Sequence, residues 1–363
     1  MHYSESHIHQ LPVELLQHIF SLIVNDISDC PSIFNSSNRR ISGNFSSPPL
    51  VFTRVCRLWR VTAHSTPDLW SRIQVTLPGG DESSEPFLPC LLQSWLACSG
   101  GQPLTLRIDR VWVILDFYIF DAICGSTQSY RSLSHADYRL LEILQAESRR
   151  WETVVCALRG DEWLDSKLDT PHLGTLECSW SGLNRFNAPN LRQLRISKGI
   201  EDIATSPTLT CKNLRHLRVQ YTSSKIIRSI SMIFPLLQTI TVAAVTGDHD
   251  DARSHSVTYP CLESLTLPLP SYDDVSDWLT EIFDGLHLPV LRKLTLVGYP
   301  SKWMIDRTMA ALAVTATCNL EVIDFHTSAL QGEIDVDVVE PLLSVVKEIS
   351  VESVLFRCRS PRN

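Results

Sequence analysis

Along the first 75 residues the apolar positions fall in a helical rhythm. Leu15, Leu16, Ile19, Phe20 and Ile23 recur at steps of three and four, which predicts a helix with an apolar face. Pro12 suits the first helical position, where its missing N–H costs nothing. Glu14 sits in the first turn, where the helix dipole favours an anion. After Pro48-Pro49, the residues Val51, Val55, Leu58, Trp59 and Thr62 keep the same spacing and predict a second helix, ended by Pro67. Pro67-Asp68-Leu69-Trp70 opens a third short turn or helix. Each large side chain buried in such a set contributes about 1.5–3 kcal/mol. Three helices this short cannot bury all their own apolar surface. The unit needs a partner.

Further on the rhythm changes. Leu173-Gly-Thr-Leu176-Glu-Cys178 begins a series of LxxLx segments with an apolar sixth residue. Seven more follow, starting at Leu191, Leu214, Leu237, Leu262, Leu291, Leu320 and Val346. Successive starts are 18, 23, 23, 25, 29, 29 and 26 residues apart, close to the 20–29 residue period of leucine-rich repeats. Each segment predicts a short strand with alternate residues inward, and the residues between strands return as helix or turn. Ser276 to Leu286 and Ile305 to Thr317 read as returning helices. Stacked units of this kind bury one another's leucines in a solenoid with a parallel strand array on one face. The repeats are degenerate, with Thr222, Pro270 and Tyr299 where an Asn or Cys is expected.

Between these regions, residues 76–170 are less patterned. Pro78 to Pro86 reads as an exposed linker. Phe87 to Cys98 and Asp137 to Arg149 predict helices, and Leu104 to Ile108 and Trp151 to Cys156 predict strands. This alternation is that of atypical capping repeats, so the segment joins the repeat region, 171–363.

Taken together, Leu11-Pro12-x-Glu14-Leu15-Leu16-x-x-Ile19-Phe20, Val55-Cys56-x-x-Trp59-Arg60-x-x-Ala63 and Pro67-x-Leu69-Trp70 resemble an F-box. With the ending Thr66-Pro67-Asp68-Leu69-Trp70-Ser71-Arg72-Ile73, the pattern is most similar to fungal F-box proteins with C-terminal leucine-rich repeats. The resemblance implies a three-helix F-box domain in residues 1–75, followed by an irregular right-handed α/β solenoid. It implies a Skp-type adaptor as partner and, through it, a cullin–RING ubiquitin ligase of the SCF type. Leu11, Pro12, Leu15, Ile19, Phe20, Val55, Trp59, Leu69 and Trp70 become the adaptor-binding residues. The departure from the family lies in residues 28–47, a Ser- and Asn-rich insertion where an ordinary F-box has a short turn. Its composition predicts a mobile surface loop.

Charge and cysteine usage narrow the function further. Net charge is −8, which offers no general basic footprint for nucleic acid. The 11 cysteines are scattered, without a CxxC pair or a Cys-His grouping at zinc spacing. That is the usage of a reducing compartment, the cytoplasm or nucleus. The most apolar stretch, Val111 to Cys124, is short, interrupted by Asp116 and Asp121, and reads as a buried helix rather than a membrane span. Asp248-His249-Asp250-Asp251 and Tyr272-Asp273-Asp274 with Asp277 read as acidic loops. No cofactor, metal or catalytic motif emerges.

A client surface follows from the strand pattern, in which the third and fifth places of each segment point away from the core. The fifth places are Glu177, Arg195, Arg218, Thr241, Thr266, Thr295, Asp324 and Ser350. Arg195, His216 and Arg218 gather on neighbouring strands and form the candidate client-binding patch, suited to a carboxylate or phosphate. The expectation is therefore a non-catalytic substrate adaptor. The alternatives are a non-ubiquitinating interaction scaffold and a receptor whose pocket takes a small molecule.

Overall fold

In the computed structural model, the described residues are 11–26, 29–37, 40–79, 83–84, 86–110, 133–156, 158, 162, 167–197, 200, 211–246, 256–269, 277–298, 300–315, 317–326, 336–351 and 354–357. The expected helix at 111–124 and the acidic runs 248–251 and 272–274 lie outside them. The fold is mixed α/β, built on parallel strands. It divides into two compact units, Met1–Glu177 with Ser181–Ala188, and Cys178–Trp180 with Pro189–Asn363. Both boundaries expected from the sequence, at 75 and 170, fall inside the first unit.

The first unit opens with helix α1 (Val13–Asp26), whose first turn closes on the Pro12 carbonyl. The single second helix expected from Val51 to Thr62 is in fact two, α2 (Phe52–Val55) and α3 (Arg57–His64). Cys56 separates them in an extended conformation, and its sulfur accepts the Trp59 N–H at 3.5 Å. A side chain that caps the next helix competes with continuation of the previous one. A 3-10 turn, Pro67–Trp70, leads straight into strand Arg72–Leu77. Parallel strands Leu104–Arg110, Trp151–Cys156 and Thr175–Cys178 follow in order, with Ile73, Leu106, Val154 and Leu176 in register. Helices α4 (Leu88–Cys98) and α5 (His135–Ala146) return between them. Buried Asp137 fixes the start of α5, accepting from Ser134 N–H at 2.7 Å and from Gly79 N–H at 3.1 Å.

Where a loop was expected at 28–47, the described residues 29–37 and 40–47 hold a pair of strands. Phe34–Ser37 and Arg40–Gly43 form an antiparallel pair, extended in parallel by Ser83–Ser84. Ile33, Phe34 and Ile41 are buried. Just before the pair, residues 31–33 run along the edge of Arg72–Leu77. Gln74 N–H donates to the Pro31 carbonyl at 2.8 Å, and Ile33 N–H to the Gln74 carbonyl at 3.1 Å. Three apolar side chains and a strand edge are enough to order a segment whose average composition is polar.

In the second unit, the repeat segments become parallel strands Gln193–Ile196, His216–Ser223, Thr239–Thr246, Ser264–Pro268, Lys293–Val297, Val322–His326 and Glu348–Val351. Leu194, Leu217, Ile240, Leu265, Leu294, Ile323 and Ile349 align in one register and are all buried. The carbonyl at each repeat's second place accepts two N–H groups of the next repeat, as Arg215 does from Gln238 and Thr239 at 2.8 and 3.0 Å. Return helices α6 (Ser224–Ile233), α7 (Trp278–Phe283) and α8 (Lys302–Ala313) pack behind, and α9 (Val336–Val339) is a single turn. Ser223 and Ser301 cap α6 and α8 through their hydroxyls. A second parallel ladder joins Val257–Thr258, Leu286–Leu288 and Thr317–Cys318. Val354–Arg357 pairs antiparallel with the last parallel strand.

Candidate functional site

Helix α1 carries two apolar stripes rather than one. Leu16, Phe20 and Val24 lie on one arc and are buried. Leu15, Ile19, Leu22 and Ile23 lie within about 100° of arc on the adjoining face, at 3.6 residues per turn. These four are 50%, 38%, 56% and 41% exposed. The inner stripe is held by aromatic packing. Phe20 stacks on Phe52 with centroids 4.2 Å apart and meets Trp59 edge-on at 4.9 Å. At its C-terminal end α1 has no basic residue of its own. Arg72 supplies the cation from strand Arg72–Leu77, donating to the Val24 carbonyl at 3.3 Å and the Asp29 carbonyl at 3.4 Å. The outer stripe is thus presented on a helix anchored by its inner face and its end.

The nine residues expected to bind an adaptor therefore separate. Leu15, Ile19 and Val55 are exposed, Pro12 is exposed at the helix start, and Leu11 is half-buried. Phe20, Leu69 and Trp70 belong to the core instead. Trp70 donates its indole N–H to the Ala63 carbonyl at 2.8 Å and accepts at its own carbonyl from the Trp95 indole at 2.9 Å. That bonding ties the 3-10 turn to both α3 and α4. Trp59 is half-buried, its ring set against Phe20 and Phe52. Leu22 and Ile23, which complete the exposed stripe, were not among the nine. The signal for Leu22 was available, because spacings 15, 19, 22, 23 and 16, 20, 24 describe two faces where a single stripe needs one.

On the strands of the second unit, Arg195 and Arg218 are register partners, and His216 pairs with Gln193. Both arginines are exposed and His216 is half-buried. His216 Nδ1 lies 2.9 Å from Thr239 Oγ1, which holds the ring on this face. The fifth-place column is not open throughout. Thr295 and Asp324, expected to face solvent, are 6% and 7% exposed. Asp324 is covered by the groups that bind it, Lys293 Nζ at 2.7 Å and His326 Nε2 at 3.1 Å. Burial works to raise its pKa, but hydrogen bonds from Lys293 and Ser350 and the charges of Lys293 and His326 outweigh that and hold it below the ordinary carboxylate value.

The shifted thiols are held neutral. Burial pushes Cys156 up to about 12, and raises Cys30, Cys98 and Cys318. Protonated thiols are poor nucleophiles. A cavity of about 580 Å³ lies between α4 and α5, lined by Leu96, Ile143 and Ala146 with Glu142, Glu147 and Arg150 at its polar side. Among the described residues no three His, Cys, Asp or Glu side chains group to hold a metal ion, and no helix is long and apolar enough to cross a membrane.

No protein-family model and no curated protein matches this chain.

Proposed function

We propose that this protein is a substrate-recognition adaptor of an SCF-type cullin–RING ubiquitin ligase. In this reading α1 to α3 and the following 3-10 turn are an F-box that docks a Skp-type adaptor, and the repeats form a leucine-rich solenoid whose strand face captures a client. The single observation that carries it is the outer stripe of α1. Four large aliphatic side chains on one helical face, beside a second stripe already buried, form a contiguous apolar surface of the kind that marks an interface. The adaptor contact falls on Leu15, Ile19, Leu22 and Ile23, with Val55 exposed on α2, while Phe20, Leu69 and Trp70 support the surface from within. The protein does no chemistry itself. It raises the effective concentration of client lysines near a charged ubiquitin carrier.

Co-purification with a Skp-type adaptor tests this, comparing the intact chain with Leu15→Asp, Ile19→Asp. Both positions are exposed, so the variant keeps its fold, checked by circular dichroism. A stoichiometric complex with the intact chain and none with the variant is expected. Equal binding by both, or by neither, overturns the reading.

A further inference from the structure

The cavity of about 580 Å³ between α4 and α5 falls in the range of about 300–1,000 Å³ typical of small-molecule sites. Its floor is Leu96 and Ala97 from α4 with Ile143 and Ala146 from α5. Its charges do not balance. Glu142 and Glu147 bring two carboxylates, and Arg150 the one guanidinium among the described lining residues. That guanidinium is already engaged, donating to Glu147 Oε2 at 2.8 Å, to Ser99 Oγ at 2.7 Å and to the Gln102 carbonyl at 2.9 and 3.0 Å. Glu142 is exposed and has no ion-pair partner among the described residues. Both helices also end at this cavity, α4 at Cys98 and α5 at Ala146, neither with a basic residue in its last turn. The negative ends of two helix dipoles therefore add to the carboxylates.

We infer that this groove binds a linear aliphatic diamine or polyamine. Its lining selects that class of cation. A divalent metal ion needs several convergent oxygens, which a floor of Leu, Ile and Ala does not offer. A quaternary ammonium is recognised by aromatic faces, and no aromatic side chain is among the described lining residues. A primary ammonium on a methylene chain meets both parts of the groove. Its N–H groups donate to a carboxylate, and its hydrocarbon covers Leu96, Ile143 and Ala146. Two carboxylates select two ammonium groups. Glu142 and Glu147 are five residues apart, about 7.5 Å along the helix axis, a separation that a short methylene chain spans. The site lies within the first unit and depends neither on the adaptor contact at α1 nor on the strand face of the repeats.

The test is isothermal titration calorimetry of the purified full chain with spermidine at fixed ionic strength, with butylamine and Mg²⁺ as controls. Spermidine is expected to bind at least about tenfold more tightly than either, the gain of a second charge-assisted contact on an apolar chain. Glu142→Gln and Ala146→Phe, both at exposed positions, remove the open carboxylate and fill the floor. Each is expected to weaken spermidine binding by at least about tenfold with unchanged circular dichroism. Equal binding of butylamine overturns the two-ammonium ligand. Equal binding of Mg²⁺ reduces the effect to net charge and overturns the site. Undiminished binding by either variant, or no binding of spermidine by the intact chain, also overturns it.

Discussion

Truncating the two stripes of α1 separates a core role from a surface role. Phe20 is fully buried, stacked on Phe52 at 4.2 Å and against Trp59 at 4.9 Å. Phe20→Ala removes those contacts and leaves a cavity that three helices cannot close, at a cost of about 3–5 kcal/mol. Leu15 lies on the adjoining face of the same helix and is 50% exposed. Only about half of the roughly 1.5–3 kcal/mol of full burial is present there, so Leu15→Ala costs about 1.5 kcal/mol at most. The assay is urea denaturation read by hydrogen exchange in peptides from α1 and α3, which isolates this unit from the rest of the chain. Adaptor affinity, measured on the same proteins under native conditions, is expected to rank them in the opposite sense, with Leu15→Ala losing binding at nearly unchanged stability. A Leu15→Ala cost equal to that of Phe20→Ala would refute the assignment of the two faces.

Asp137→Ala leaves the Gly79 N–H and the N–H and hydroxyl of Ser134 without their acceptor and is expected to destabilise the first unit by about 1–3 kcal/mol, measured by the same denaturation. Gly298 has φ +143, and a Cβ there would sit 3.0 Å from Leu269 Cβ, so Gly298→Ala is expected to lower the melting temperature by several degrees in a thermal scan. The folded-state pKa of Asp324 is depressed, so its contribution is fully present above the ordinary value of about 3.8 and is lost as pH falls through the folded value. Asp324→Asn is therefore expected to be less stable at pH 7 and to converge on the intact protein below about pH 4, read from paired denaturation curves. Ile33→Asp with Ile41→Asp is expected to loosen the hairpin from strand Arg72–Leu77 and drive association, detected by light scattering after size exclusion.

The repeat strands were legible because their signal is periodic and strong. All eight LxxLxL segments form strands that begin at the third place of the pattern, where the two-residue alternation starts. The repeat's polar signature was harder to find. Asn213 and Asn319, each just before a repeat's first leucine, donate to the Pro189 and Pro289 carbonyls of preceding turns at 3.0 and 2.9 Å. Those asparagines lie outside the position where the pattern expected them. Strand Arg72–Leu77 was hidden for a different reason. It follows the 3-10 turn with no linker, so a boundary placed at 75 cuts through it. In the helices, periodicity located α1 but could not rank its faces. Both arcs are apolar, and only packing against Phe52 and Trp59 decides which one turns inward.

The insertion between α1 and α2 sharpens what the outer stripe means. A strand at the edge of a sheet offers unpaired N–H and C=O groups to any extended chain. Residues 31–33 occupy that edge on Arg72–Leu77, taking both backbone groups of Gln74, and the hairpin beyond buries Ile33, Phe34 and Ile41. The described part of this insertion thus covers polar groups of one strand. The same unit leaves Leu15, Ile19, Leu22 and Ile23 in water on its first helix. A chain that shields its sheet edge and leaves an aliphatic helix face open has the means to cover such a face. The proposed adaptor contact would cover that face, and the Leu15→Asp, Ile19→Asp variant tests that surface without disturbing the core beneath.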